Sequence, residues 1–162
     1  MGAPQARLLG AFLQFLMAQF PWSDMYLLGY GPMDDSHREF VERVDALLAC
    51  SDEDFPARLE AFARLAEAHF AEEDEWMKRT DFPPRQCHED EHAAVLNSVR
   101  KVMAVVAQGD IAEGRRLAAA LAEWFPGHAT HLDSALSHWM SKQSFGGKPV
   151  VIRRNVLDRQ KR

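Results

Sequence analysis

Residues 69–77 read HFAEEDEWM and residues 88–92 read HEDEH. In each string two side chains able to bind a metal stand four residues apart: His69 and Glu73 in the first, His88 and His92 in the second. That spacing carries meaning in an α-helix, where residues i and i+4 share a face and converge on one point. Both strings adjoin apolar residues at helical spacing. Leu59, Phe62, Leu65 and Ala66 precede the first, and Val95, Leu96, Val99, Val102 and Met103 follow the second. Between the strings Asp81-Phe82-Pro83-Pro84 forms a stop. The spacing therefore predicts helices over about 56–78 and 85–107, with Pro56 suited to a first turn.

The same pattern extends outward. Phe40, Val41, Val44, Leu47 and Leu48 predict a helix over about 35–48, which Ser51-Asp52-Glu53-Asp54 ends. Gly109-Asp110 separates the third helix from a fourth over about 111–142, and Gly146-Gly147 follows that one. Four helices with short connections place sequence neighbours antiparallel, so the expected fold is all-α, an up-down-up-down antiparallel four-helix bundle. Only Val150-Val151-Ile152 looks strand-like. The domain reading is an N-terminal extension at 1–21, the bundle at 22–147 and a basic tail at 148–162.

Composition narrows the function classes. With 162 residues, one domain with a real core is expected. The net charge of −5 hides a division, since residues 148–162 carry six Lys/Arg and one Asp, leaving 13 basic and 23 acidic residues before them. The acidic body argues against a nucleic-acid partner. The tail reads as solvated, with an anionic partner as the other reading, and the sequence names no protein partner for it. No apolar run is long enough for a membrane span. The stretch LLGAFLQFLMAQF is broken by Gln14 and Gln19 and lacks a cleavage site, so a cytoplasmic chain is expected. Cys50 and Cys87 read as two free thiols.

The histidines are placed on successive helices. His37 lies on the first, His69 and Glu73 on the second, His88 and His92 on the third, His128 and Asp133 on the fourth. Any one of these alone reads as a hydrogen-bonded core residue or a chance surface pair. Together they bring five imidazoles and two carboxylates toward one core, where each must find a partner. A metal centre satisfies all seven. Seven ligands exceed the four of a zinc site, and carboxylates can bridge, so two ions are expected. Imidazole with carboxylate suits iron, manganese, zinc or copper alike.

His128 and Asp133 are five apart, about 140° of rotation on an ideal α-helix. For both to face the core the helix must widen locally, as in a π-turn, and Pro126 already removes a backbone donor there. An irregular fourth helix between Trp124 and Asp133 is therefore predicted. His131 and His138 read as surface or supporting residues. Trp22, Trp76, Trp124 and Trp139 read as core aromatics, and the acidic run Glu72–Glu75 as a solvated face apart from Glu73.

The strings MDDSHREF (33–40), HFAEEDEWM (69–77), HEDEH (88–92) and WFPGHATHLD (124–133) together resemble the hemerythrin family, especially its bacterial single-domain members. The resemblance spans about Trp22 to Met140. It implies a bundle holding two non-haem iron ions that bind O2 reversibly. By position, one ion takes His88, His92 and His128, the other takes His37 and His69, and Glu73, Asp133 and an oxo or hydroxo group bridge them. One coordination position then stays open, on the His37/His69 side. The implied role is oxygen storage, delivery or buffering, not catalysis. The alternatives are an oxygen or redox sensing module, or a di-iron enzyme scavenging peroxide or nitric oxide. Five imidazoles against two anionic ligands favour reversible binding over the carboxylate-rich sites that activate oxygen. Trp124, Phe125 and Ala129 are the expected O2 pocket. The family string has Leu after this Trp and Ile after this His, where the chain has Phe125 and Ala129, so the pocket's shape departs from the pattern. Residues 1–16 lie outside the resemblance. Met17 is a natural start, with an amphipathic docking segment as the other reading of what precedes it.

Overall fold

The computed structural model describes residues 19–145. The basic tail, its Val150–Ile152 run and residues 1–16 lie outside them. A short 3-10 turn at Asp24–Tyr26 leads into α1 (Gly31–Ala49), α2 (Phe55–Arg79), α3 (Arg85–Val106) and α4 (Ile111–His128). A π-turn at Ala129–Asp133 and α5 (Ser134–Phe145) continue α4 as one rod. Among the described residues there is no strand. Each helix packs on its sequence neighbours, and α1 closes the ring against α4, which gives the antiparallel four-helix bundle expected from the short connections.

Local chemistry explains the ends. α1 starts about a turn before the predicted Asp35. Pro32 suits its first turn, and the Asp34 carboxylate accepts the N–H groups of Leu28 and Gly29 at 2.7 and 3.0 Å. α2 ends with Asp81 in the left-handed region (φ 51°), and the Phe82 N–H reaches back to the Met77 carbonyl at 3.0 Å. Gly109 (φ 99°) ends α3 in the same way, with Asp110 N–H donating to Val105, and Asp110 then caps α4 by accepting from Glu113 N–H at 3.0 Å.

The interior has two apolar parts. The larger gathers Phe40, Val41, Val44 and Leu47 of α1 with Phe55, Leu59, Phe62 and Phe70 of α2, Val99 of α3 and Leu121 and Phe125 of α4. The smaller gathers Met33, Trp76, Met77, Phe82, Leu136 and Met140. Phe20, inside the predicted extension, is buried against the bundle. Its N–H donates to Asp45 at 2.7 Å and its ring meets Phe125 edge-on.

At the far end Arg115 donates to the carbonyls of Leu47 and Cys50 at 2.9 and 2.7 Å, satisfying groups left over at the end of α1. The same guanidinium lies 4.8 Å over the Phe55 ring. Phe55 in turn leaves no room beside Gly114, where an added Cβ would stand 2.3 Å from its ring. Alanine is the better helix former by about 1 kcal/mol. Overpacking a ring held on both sides costs about 1–3 kcal/mol. Gly114→Ala is therefore expected to lower stability, read as a drop in the thermal midpoint, and a rise would show that the ring gives way freely.

Candidate metal centre

Between the two apolar parts lies one polar layer, to which every rod of the bundle contributes. His37 is one turn from Met33 and Phe40. Glu73 falls between Phe70 and Trp76, and Asp133 between Ala129 and Leu136. His37, Glu73, His88 and Asp133 are fully buried, and His69, His92 and His128 nearly so. The structure thus brings together all seven residues that the spacing singled out.

Their arrangement is ordered. Glu73 Oε2 lies 3.5 Å from His88 Nε2 and 3.3 Å from His92 Nε2. Asp133 Oδ1 lies 3.0 Å from His88 Nε2 and 3.2 Å from His128 Nε2. The other oxygens turn the opposite way: Glu73 Oε1 is 3.7 Å from His37 Nε2 and 3.6 Å from His69 Nε2, and Asp133 Oδ2 is 3.1 Å from His37 Nε2. Each carboxylate therefore spans two sets of imidazoles, one of three and one of two. The ligand atoms of Glu73, His88, His92, His128 and Asp133 lie within 4.8 Å of one another, as do those of His37, His69 and Glu73.

Short distances do not make these contacts hydrogen bonds. Both oxygens of Glu73 and of Asp133, with Nε2 of His37 and of His92, are buried without a hydrogen-bond partner among the described residues. Orphaned buried polar atoms are costly. Here they converge on shared centres, the geometry of groups aimed at a cation. The donor set fits iron or a similar divalent ion, as imidazole and carboxylate do generally.

The predicted distortion of the fourth helix is present. Ser134 N–H donates to Ala129 O, an i+5 bond, and this wide turn brings Asp133 onto the face of His128. Carbonyls around it are taken up locally. Thr130 Oγ1 donates to Pro126 O at 2.7 Å, and His131 Nδ1 lies 2.8 Å from Gly127 O. His131 and His138 are exposed, as expected.

Two residues of the site escape a reading of spacing alone. Asp74 Oδ1 lies 2.9 Å from His92 Nδ1, and Glu91 Oε2 lies 3.0 Å from His128 Nδ1. Asp74 belongs to the acidic run expected to be solvated, and the structure corrects that expectation: it faces α3, four residues on from Phe70, whose ring stacks on His92 at 4.1 Å. Glu91 adjoins His92 but points across to α4.

The three pocket residues separate. Phe125 is buried, edge-on to His37 at 5.3 Å and stacked on Phe40 at 5.0 Å, and Ala129 is fully buried. Trp124, only half-buried, lies over the His128 ring at 4.3 Å, on the side of the three imidazoles. Of the other tryptophans Trp76 is buried, while Trp22 and Trp139 are half-buried. Cys50 is half-buried and Cys87 exposed, both free.

The chain is similar to proteins of one family. The family described as "Hemerythrin HHE cation binding domain" matches residues 28–138. A bacteriohemerythrin of Ralstonia nicotianae is 39% identical over 78% of this chain and 93% of its own length. A hemerythrin of Sipunculus nudus is 27% identical over 57% of this chain and 75% of its own. A myohemerythrin of Theromyzon tessulatum is 24% identical over 70% and 88% respectively. No solved structure matches.

The layer has a clear pH signature. Burial lowers the His37 and His88 pKa values, but the negative carboxylates of Asp133 and Glu73 close beside them outweigh it and raise both from 6.5 to about 9. Burial and the mutual repulsion of the carboxylates push Asp133 up, yet the surrounding imidazoles hold it below the usual range, and Glu73 is held low in the same way. Burial lowers His69. A raised histidine stabilises the fold fully below its unfolded pKa and ceases to do so as pH passes its folded value. The thermal midpoint of a metal-stripped preparation should therefore fall as pH rises from 6.5 through about 9. Loading with Fe(II) should flatten that fall, because the cation replaces the protons. A stripped protein whose midpoint holds constant over this range would contradict the paired charges.

Proposed function

The chain belongs to the hemerythrin family, and on that premise we propose that it holds two iron ions in the polar layer and binds O2 reversibly, for oxygen storage, delivery or buffering. His88, His92 and His128 would hold one ion and His37 and His69 the other, with the carboxylates of Glu73 and Asp133 shared between the two. When bound, the iron pair supplies the electrons that O2 takes up and gives back.

One observation carries the reading. The two carboxylates face three imidazoles on one side and two on the other. His37 and His69 thus offer one nitrogen fewer than the opposite set, which would leave a coordination position for O2 on their side. Phe125 against His37 and Phe40 against His69 wall that side with hydrocarbon. Such walls exclude water and hinder the proton leakage that would make uptake irreversible. Ala129, one turn on from Phe125, is a smaller side chain than the Ile that the family string carries at that position.

The test is a visible spectrum. The protein, reduced without oxygen and then exposed to air, should develop a charge-transfer band that disappears on deoxygenation, with about two irons per chain. Conversion straight to the ferric form with no such band would favour a scavenging or sensing role instead. His69→Ala should abolish the reversible band. Phe125→Leu should keep it but shorten its lifetime several-fold, by loosening the wall beside His37.

A further inference from the structure

We propose that Asp74 and Glu91 rank the two halves of the centre, so that the His88/His92/His128 half binds the first metal ion and holds it more tightly. This ranking rests on the two-metal reading above.

An imidazole that ligates through one ring nitrogen gains basicity and a fixed orientation when the other donates to a carboxylate. His92 and His128 have that support. Their Nε2 atoms face the layer, while their Nδ1 atoms meet Asp74 and Glu91 at 2.9 and 3.0 Å. The opposite half has nothing equivalent: Nδ1 of His37 and Nδ1 of His69 are buried with no hydrogen-bond partner among the described residues. His88 Nδ1 also lacks one, so two of three imidazoles are supported on one side and neither on the other. The three-imidazole half therefore exceeds its partner in ligand number, in donor strength and in nearby negative charge.

The outer carboxylates also reach the surface. The Asp74 side chain is 27% exposed and that of Glu91 49% exposed. Both can thus be replaced without opening a cavity. Asp74 ties α2 to α3, and Glu91 ties α3 to α4. If they acted only as ties between helices, their loss would weaken both metal-binding steps together. If they rank the halves, their loss weakens one.

The full-length protein, stripped of metal, can be titrated with Co(II) while its visible absorption is recorded. The unaltered chain should show two steps of different affinity, and His69→Ala should remove the weaker step and keep the tighter. The paired substitution Asp74→Asn with Glu91→Gln should weaken the tighter step about 10–100-fold and move the weaker by less than about threefold. Equal losses in both steps, a loss confined to the weaker step, or no change at equal helicity would overturn the ranking. So would loss of the tighter step in His69→Ala. An unaltered chain that takes up no second ion would overturn the two-metal reading itself, and the ranking with it. Two ions bound without a ranked response would overturn the ranking alone.

Discussion

Two fully buried carboxylates sharing one layer set the terms for everything else in this bundle. Glu73 and Asp133 repel each other, and each costs several kcal/mol to withdraw from water. Among the described residues no lysine or arginine pairs with either, so within the chain the compensation comes from the five imidazoles. This demand fixes which face every helix turns inward. It also explains the density of aromatic rings on either side of the layer, which offset its cost by burying apolar area and keep water from the charges.

Packing against the imidazoles refines the layer. Phe70 lies flat on His92, Trp124 tilts over His128, and Phe125 meets His37 edge-on. A ring held on its face by another ring and at its outer nitrogen by a carboxylate has little freedom left. The three-imidazole half is held in both ways at two of its rings, whereas the opposite half is held by aromatic contacts alone. The bundle thus restrains the rings of one half at more points than those of the other, from the same residue types.

Much of this is legible in the chain because helical periodicity is strict. His69 with Glu73 and His88 with His92 announce their shared faces, and the five-residue gap from His128 to Asp133, with Pro126 before it, announces a widened turn. What stays hidden depends on register between helices. Asp74 sits among acids that look alike, and only the offset of α2 against α3 turns it toward His92. Glu91 likewise depends on how α3 lies along α4. The early start of α1 follows from Asp34 meeting an incoming loop, and the burial of Phe20 from a contact with Phe125 more than a hundred residues away in sequence. Spacing within one helix shows none of these.

The widened turn at Ala129–Asp133 reaches beyond the polar layer. One residue corresponds to about 100° around a helix. In a regular helix of the same residues, α5 would be rotated by about that amount relative to α4. Asp133 would leave the layer, and Leu136 and Met140 would leave Met33, Trp76 and Phe82. Ser137, whose hydroxyl donates to Leu28 O at 3.1 Å, would release the loop ahead of α1. A single extra residue thus phases the charged layer, the smaller apolar cluster and the entry loop together, and none of the three can be re-registered alone.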